Sequence, residues 1–304
     1  MKTAGPTGAL AACQTVSERK RSVLVGLLGS GIQLSRTPAM HEAAARALGI
    51  PYVYRLLDTD QMREPQPSLA DLLRFAECFG FSGLNITFPY KQEILPLLDE
   101  LSPAAGEVGS VNTVIFRDGR RIGDNTDVWG FRESFRRSMG EAPRRRVLLL
   151  GAGGAGAAVA HALLECDTGC VLIFDAEFFR ATRLATRLKG RFGANRAEAV
   201  EDIAAAVRAS DGIVNATPVG MVKLPGMPLK PEYIAPRHWV VDIIYFPLET
   251  ELLRHARRLG CQTSSGEGMA VFQAVRAFEL FTGVEPNIDV MRATFAGFDR
   301  ASIE

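Results

Sequence analysis

The stretch Gly151-Ala152-Gly153-Gly154-Ala155-Gly156 constrains the fold of this chain more than any other feature. It satisfies the pattern G-x-G-x-x-G, directly follows an apolar run at residues 146–150 and directly opens an alanine-rich helical pattern. In such a strand–turn–helix, the glycines permit a tight turn, a close approach of pyrophosphate to the backbone, and close packing of helix on strand. The pattern therefore predicts a dinucleotide-binding unit. The alternative is a glycine-rich connector that binds no ligand.

Asp175 ends the next predicted strand and bears on the choice of cofactor. A carboxylate at this place accepts hydrogen bonds from the adenosine ribose hydroxyls and repels a 2′-phosphate. Ala176 and Glu177 follow, where proteins that bind NADP usually carry a basic residue. The sequence therefore predicts NAD. Arg180 is the nearby cation that would stack on adenine or reach a phosphate, and the alternative for Asp175 is a cap on the following helix.

Apolar runs and helical patterns alternate in two groups, separated by a break at residues 140–143. The first group predicts strands at 23–28, 52–57 and 83–87, and a hairpin of 111–116 with 121–123. It also predicts a helix to about 48 with Thr37 as N-cap, and a helix through 78 capped by Ser68. The second predicts strands at 146–150, 170–174, 212–215 and 239–243, and an alanine-rich helix that follows the glycine-rich turn and runs to about 164. It also predicts helices at about 177–189, 200–208, 249–258, 269–281 and 288–297. Alternation of this kind indicates mostly parallel sheets covered on both faces.

The predicted fold is therefore a two-lobed α/β protein: a Rossmann dinucleotide-binding domain and a smaller α/β substrate domain with a mostly parallel sheet. We expect a flexible tail at 1–22, the substrate domain at 23–126, and the Rossmann NAD-binding domain at 127–265. Residues 266–304 are predicted to return to the substrate domain, which makes that domain discontinuous.

Composition excludes several classes of partner. A formal net charge of +1 gives no general attraction to nucleic acid or to an anionic membrane. No run approaches the roughly 18 apolar residues of a membrane span. The five cysteines form no C-x-x-C, and no cluster of Cys, His and carboxylates suggests a metal. A cytoplasmic protein with reduced thiols is expected. A homodimer is considered, although the residues leave the oligomeric state open.

Polar residues in the first half fall in predicted loops after strands, where ligands bind in open α/β sheets. These residues are Ser35, Thr37, Asn85, Thr87, Lys91, Asn112, Asn125, Thr126 and Asp127. Neutral donors with a single cation suit a polyhydroxylated anion. Each residue alone has an ordinary interpretation as a cap, a turn former or an exposed charge, so their joint presence carries the prediction.

Several motif blocks resemble the signature blocks of shikimate dehydrogenases, and the resemblance extends over nearly everything from Val23 to Phe295. The blocks are Asn85-Ile86-Thr87-Phe88-Pro89-Tyr90-Lys91, Gly109-Ser110-Val111-Asn112-Thr113, Gly123-Asp124-Asn125-Thr126-Asp127, the glycine turn, Asn215-Ala216-Thr217-Pro218-Val219-Gly220-Met221, and Gly268-Met269 with Gln273. A first block of Leu34-Ser35-Arg36-Thr37-Pro38 replaces the usual His-Ser-x-Ser-Pro. In this, and in its acidic Asp175, the chain resembles the NAD-dependent quinate/shikimate dehydrogenase branch.

The resemblance implies a role for each matching residue. Ser35 and Thr37 would hold a substrate carboxylate, and Thr87, Asn112 and Gln273 would bind ring hydroxyls. The cofactor would contact Gly151 to Gly156, Asp175 and Arg180, with Thr217, Pro218, Gly268 and Met269 lining the nicotinamide pocket. Tyr245 is a weaker candidate for the crevice wall.

Lys91 and Asp127 would flank the hydroxyl that is oxidised. Desolvation and a positive nicotinamide ring favour a neutral lysine amine, whereas Asp127 favours the ammonium. The expected compromise is a pair in which Lys91 relays the proton and Asp127 orients both it and the hydroxyl. The resemblance thus implies oxidation of quinate, shikimate or both to the 3-dehydro ketone. The alternatives are an NADP-type biosynthetic shikimate dehydrogenase, a dehydrogenase of an amino analogue, and a non-catalytic cofactor-sensing module.

Overall fold

A computed structural model describes residues 22–300 of the chain, with side chains described for 22–298. The strands are β1 (Val23–Gly29), β2 (Tyr52–Asp58), β3 (Gly83–Ile86), β4 (Glu100–Leu101), β5 (Thr113–Arg117), β6 (Arg120–Asp124), β7 (Arg146–Leu150), β8 (Cys170–Phe174), β9 (Ala197–Ala199), β10 (Gly212–Asn215), β11 (Trp239–Asp242) and β12 (Gln262–Ser264). The tail predicted at residues 1–22 lies outside the described residues, except for Ser22.

Helices fill most of the connections between these strands. They are α1 (Thr37–Ala47), α2 (Leu69–Cys78), α3 (Pro103–Val108), α4 (Thr126–Met139), α5 (Gly154–Glu165), α6 (Phe178–Phe192), α7 (Ile203–Ala209), α8 (Glu251–Arg258), α9 (Glu267–Thr282) and α10 (Ile288–Arg300). Within residues 22–300, none of the helices combines the length and the apolar character needed to span a membrane.

Six parallel strands form the second sheet in the order β12-β11-β10-β7-β8-β9. The central strand β7 is buried on both faces: Val147 and Leu149 pack with α5 and α6, whereas Leu148 and Leu150 pack with α7 and α8. An apolar residue at nearly every position is what such a strand requires. The strand order reverses at β7 and β10, and ligands bind at such a switch point. The predicted Rossmann unit is confirmed.

The first sheet has the order β2-β1-β3-β5-β6-β4 and is parallel-rich, as predicted. Strand β1 runs parallel to β2 and β3, and β4 runs parallel to β6, whereas β5 is antiparallel to both its neighbours. The predicted hairpin of β5 and β6 turns at Asp118 and Gly119, whose φ angles are 52° and 71°. Two central residues with positive φ match the twist of the flanking strands.

Helices α9 and α10 pack with α1 beside the first sheet, and α9 also packs along α4. Met269, near the start of α9, packs into the core of the second sheet. Further along α9, Val271 and Phe278 pack with Met40 of α1, and Phe281 packs against β1. The domain boundaries at residues 126/127 and 265/266 stay a prediction.

Two details differ from the sequence-based expectation. Thr37 is the first residue of α1 and not its N-cap, a position that Arg36 occupies. The chain already turns before the helix, because the Ser35 hydroxyl accepts a hydrogen bond from Thr37 N at 3.3 Å. Helix α4 was not predicted, although Asn125 caps it by accepting hydrogen bonds from Asp127 N and Val128 N.

Candidate active site

A cleft of about 550 Å³ lies where loops from the two sheets meet. The first sheet contributes the segment after β3, and the second contributes the glycine turn after β7 and the start of α6. The lining residues are Thr87, Phe88, Pro89, Lys91, Gln92, Ala152, Gly153, Gly154, Ala155, Phe179, Arg180, Arg183 and Ala216. This volume is ample for a small ligand together with part of a cofactor.

Lys91 and Asp127 form an ion pair at this cleft. The ammonium of Lys91 donates to Asp127 Oδ2 at 2.5 Å. Asp127 lies in the first turn of α4, where a negative side chain is favourable. The Lys91 side chain is 21% exposed and that of Asp127 is 7% exposed, so a ligand can reach the lysine while the carboxylate is held from behind. A Cβ built on Gly154 would lie 3.8 Å from Lys91 Cβ, which places the pair beside the glycine turn.

Asn112 holds the carboxylate of Asp127 in place. Its Nδ2 group donates to Asp127 Oδ1 and to Thr126 Oγ1, both at 2.9 Å. Its Oδ1 accepts from Thr126 N at 2.8 Å and from Thr113 Oγ1 at 3.1 Å. Asn112 is buried. Its side-chain amide, which the resemblance assigns to a substrate hydroxyl, is therefore already hydrogen-bonded to neighbouring protein groups.

The glycine turn has the shape that a pyrophosphate group needs. Gly151 has a φ of +98°, and a Cβ on Gly156 would lie only 2.0 Å from Gly151 O, so both positions require glycine. A Cβ on Gly153 would instead meet open space. Helix α5 starts there without a side-chain cap, which leaves its first N–H groups free to bind an anion. These residues fit a dinucleotide cofactor.

Asp175 follows β8 and faces the glycine turn. Its Oδ2 accepts a hydrogen bond from Ala152 N at 2.7 Å, and its Oδ1 accepts one from Glu177 N at 2.9 Å. Each carboxylate oxygen retains a further lone pair for a ribose hydroxyl. Asp175 therefore supports the turn as well as presenting a negative charge, a role that its position in the sequence did not reveal.

Two arginines on α6 lie at the cofactor end of the cleft. Arg180 pairs with Glu177 at 2.7 Å, and both side chains are about half exposed. An exposed pair of this kind contributes little to stability, and a ligand can displace it. Arg183 and the ring of Phe179 also line the cleft. These two residues lie on the outer face of a helix without a distinctive motif, so no sequence pattern predicts their place in the site.

The structure brings some predicted site residues to the cleft and leaves others behind it. Thr87 lines the cleft, and Ser35 and Thr37 lie together at the start of α1. Gln273 donates to Ala270 O within its own helix at 3.1 Å. The ring of Tyr245 contacts that of Phe295, with 6.1 Å between their centroids.

The residues predicted for the nicotinamide pocket are not among the residues that line this cleft, although Ala216, directly before Thr217, is. Thr217 N and Oγ1 both donate to Asn215 Oδ1, at 3.0 and 2.7 Å, and Pro218 follows in the same turn. Gly268 lets α9 approach α4, because a Cβ there would lie 2.1 Å from Ser134 Oγ. Met269 beside it is buried.

Comparison with known proteins finds family models and relatives that match this chain. The model described as "Shikimate dehydrogenase substrate binding domain" matches residues 27–114, and the model described as "Shikimate 5'-dehydrogenase C-terminal domain" matches residues 266–294. The shikimate dehydrogenase (NADP(+)) of Streptomyces avermitilis is 52% identical over 90% of this chain and 95% of the relative. The quinate/shikimate dehydrogenase (NAD(+)) of Corynebacterium efficiens is 47% identical over 90% of this chain and 98% of the relative.

A solved structure gives the same answer. The quinate dehydrogenase from Corynebacterium glutamicum in complex with NAD superposes with a TM-score of 0.86 at 46% identity, and covers 91% of this chain and 99% of its own. This chain belongs to the shikimate/quinate dehydrogenase family. The resemblance carried by the motif blocks is thereby confirmed.

In this member of the shikimate/quinate dehydrogenase family, one buried carboxylate organises the loops after β10 and β11. Asp242 accepts hydrogen bonds from Thr250 Oγ1 at 2.7 Å and from Asn215 Nδ2 and Ile244 N at 3.1 Å. Asn215 in turn fixes Thr217 in the turn described above. Because Asp242 is fully buried, burial raises its pKa to about 6 in spite of the three donors.

The raised pKa of Asp242 predicts a measurable pH dependence of stability. In the unfolded chain an aspartate has a pKa near 3.9. Between that value and about 6 the folded protein binds a proton that the unfolded chain releases, so the free energy of unfolding falls as pH rises through this window. We expect the fall to be about 2–3 kcal/mol and to be missing in Asp242→Asn. Urea denaturation of both proteins from pH 4.5 to 7.5 measures it, and parallel curves would refute the assignment.

Proposed function

We propose that this protein is an NAD-dependent dehydrogenase that oxidises a ring hydroxyl of quinate and of shikimate to the 3-dehydro ketone. The observation that carries the proposal is the Lys91–Asp127 ion pair beside the glycine turn, with 2.5 Å between Lys91 Nζ and Asp127 Oδ2. A family member that had lost catalysis and only sensed the cofactor would not need this partly buried pair.

The chemistry divides between cofactor and protein. The glycine turn and Asp175 would hold NAD, which would supply the hydride acceptor for the carbinol carbon. Lys91 relays the hydroxyl proton as the carbonyl forms: it passes one ammonium proton to Asp127 and takes the hydroxyl proton in its place, and Asp127 also holds the lysine and the hydroxyl in position. Thr87 and Gln273 are proposed to bind the remaining ring hydroxyls. Asn112, whose amide is already bonded to Asp127, would reach a ring hydroxyl only by sharing those bonds.

Several features support NAD as the preferred cofactor. Asp175 has a negative charge where a 2′-phosphate would lie, and the next two residues, Ala176 and Glu177, offer no cation. Arg180 is the nearest cation along the chain and already pairs with Glu177. The relatives from Corynebacterium named with NAD, among them one solved with NAD, add support.

A second candidate is an NADP-dependent shikimate dehydrogenase, which is the name of the Streptomyces avermitilis relative. In this chain Asp175 and the departure at Leu34 from the usual first block argue for the NAD-dependent function. The two candidates predict opposite cofactor preferences and different use of quinate.

Incubation with NAD and each acid, followed by mass spectrometry of the products, tests the proposed reaction. We expect one NADH for each acid consumed, and a product that is two hydrogens lighter than its substrate. Quinate should be oxidised at least comparably to shikimate. Turnover of shikimate with no detectable use of quinate would support the second candidate instead.

Thr37→Ala is expected to weaken the binding of both acids. The variant removes one hydroxyl proposed to bind the substrate carboxylate, and a hydrogen bond to a charged group contributes about 1.5–3 kcal/mol. KM should therefore rise by about one to two orders of magnitude, with kcat much less affected. Thr37→Ser keeps the hydroxyl and is the matched control. Steady-state kinetics with both acids measures the effect, and an unchanged KM in Thr37→Ala would remove this residue from the site.

A further inference from the structure

A chain of buried hydrogen bonds leads from β2 to the Lys91–Asp127 pair. The hydroxyl of Tyr54 donates to Asn85 Oδ1 at 2.7 Å, and Asn85 Nδ2 donates to Thr113 Oγ1 at 3.0 Å. Thr113 Oγ1 donates to Asn112 Oδ1 at 3.1 Å. This series of hydrogen bonds therefore crosses the first sheet and ends on the side-chain amide of Asn112, which holds Asp127.

These hydrogen bonds run in a single donor-to-acceptor direction, because the orientation of each group fixes the orientation of the next. Donation by Tyr54 to Asn85 Oδ1 turns the amino group of Asn85 toward Thr113. Thr113, having accepted that bond, donates to Asn112 Oδ1, and Asn112 is left with its amino group facing Asp127 Oδ1 at 2.9 Å. Reversing one amide would set like groups against each other in a buried site, which costs about 1–3 kcal/mol for each unsatisfied group.

Burial protects this arrangement from water. Taken as whole residues, Tyr54, Asn85, Thr113, Asn112 and Asp127 are each no more than 5% exposed. Burial also raises the pKa of Tyr54 well above its ordinary value, with smaller contributions from neighbouring tyrosines. The Tyr54 hydroxyl therefore stays protonated and keeps donating throughout the pH range in which the enzyme would work.

We propose that Tyr54 is a positioning residue for the dehydrogenase reaction: through Asn85, Thr113 and Asn112 it fixes the orientation of the Asp127 carboxylate toward Lys91. This inference rests on the proposed function, because it assigns Tyr54 a part in the work of the Lys91–Asp127 pair. The Tyr54 hydroxyl bonds to Asn85 and the residue is only 5% exposed, so Tyr54 acts through others and is not a catalytic group.

Tyr52 offers a matched control on the same strand. It lies two residues before Tyr54 and therefore on the same face of β2. Its hydroxyl bonds to His41 Nδ1 at 2.8 Å and takes no part in the chain that reaches Asp127. Burial lowers the pKa of His41 to about 3, so this partner is neutral. Tyr52→Phe and Tyr54→Phe each remove one hydroxyl from the same face of β2. Only the Tyr54 hydroxyl belongs to the series of hydrogen bonds that reaches the Lys91–Asp127 pair.

Kinetics of the two variants test the proposal. Tyr54→Phe should lower kcat about five- to tenfold, as loss of one buried hydrogen bond allows, and leave the KM for NAD unchanged. Tyr52→Phe should keep the kcat of the unaltered protein. Thr113→Val should lower kcat as Tyr54→Phe does, and Thr113→Ser should recover most of that loss. A normal kcat in Tyr54→Phe, or an equal loss in Tyr52→Phe, would overturn the proposal.

A second readout does not depend on turnover. The side-chain amide protons of Asn112 can be followed by ¹⁵N NMR in the full-length protein. Tyr54→Phe should shift these signals and speed their exchange with water, whereas Tyr52→Phe should leave them unchanged. If the unaltered protein oxidised neither acid, the proposed function would fall, and the Asn112 signals would still decide whether Tyr54 sets this amide. Unchanged Asn112 signals in Tyr54→Phe would refute the positioning role whatever the activity.

Discussion

Replacing Lys91 with alanine is expected to lower kcat by about 10²–10⁴-fold, the contribution of a well-placed acid–base group. The Lys91 ammonium lies 2.5 Å from Asp127 Oδ2 and beside Gly154, so the loss falls on proton transfer next to the cofactor. Affinity for NAD should change much less, because we propose that the adenosine half binds at Asp175, which follows β8 of the second sheet. Steady-state kinetics, together with NAD binding measured by calorimetry, separates the two effects.

Two further variants control this prediction. Asp127→Asn keeps the size of the side chain but removes the charge that holds Lys91, and should also lower kcat strongly. Lys189→Ala removes an exposed lysine in the last turn of α6 and should leave the kinetics unchanged. If Lys91→Ala turned over at the rate of the unaltered protein, Lys91 would have no part in the chemistry.

Removal of the Asp175 carboxylate is expected to reduce the preference for NAD over NADP by one to two orders of magnitude. Hydrogen bonds from the ribose hydroxyls to a charged acceptor contribute about 1.5–3 kcal/mol to NAD binding. The same charge repels the 2′-phosphate of NADP, so Asp175→Ala should harm NAD and relieve NADP. Because Asp175 also accepts a hydrogen bond from Ala152 N, both cofactors lose some support from the glycine turn. The informative quantity is therefore the ratio of the two kcat/KM values.

Asp175→Asn separates charge from hydrogen bonding. The amide keeps an acceptor for Ala152 N and loses the negative charge, so this variant should relax the preference while preserving the turn better than alanine does. An unchanged NAD/NADP ratio in both variants would show that cofactor choice is made elsewhere, for example by Arg180 and Arg183 on α6.

The second sheet could be predicted from the sequence because its physical requirements are local. A strand buried on both faces needs consecutive apolar residues, and residues 147–150 and 213–214 supply them. The glycine turn is equally local, since a Cβ on Gly156 would meet the backbone of Gly151. The motif blocks then identified the family before any geometry was known.

Helix α4 has a clear signal in the sequence, although no helix is predicted there. Asn125 is a good N-cap, and Val128, Phe131 and Phe135 repeat at helical spacing into the core. This capping residue and this spacing are typical of a helix that has Asp127 in its first turn. Strands β4, β9 and β12 are only two or three residues long, and such short elements form because a neighbouring strand is already there.

The side-chain network behind Asp127 could not have been predicted from the sequence. Tyr54 of β2 and Asn85 of β3 are 31 residues apart in the sequence, and their strands are separated by β1 in the folded sheet. The Tyr54 hydroxyl therefore reaches Asn85 across β1. Their contact depends on the register of three strands. A tyrosine in a β-strand is most simply a core residue, and no local signal distinguishes Tyr54 from Tyr52.

Initial rates of cofactor reduction, measured with quinate and with shikimate and each paired with NAD and with NADP, test the central claim most directly. We expect both acids to reduce NAD, quinate at least comparably to shikimate, and NAD to give the higher kcat/KM with either acid. Absence of NAD reduction by both acids, or equal kcat/KM with NADP, would contradict the assignment of this protein as an NAD-dependent quinate and shikimate dehydrogenase.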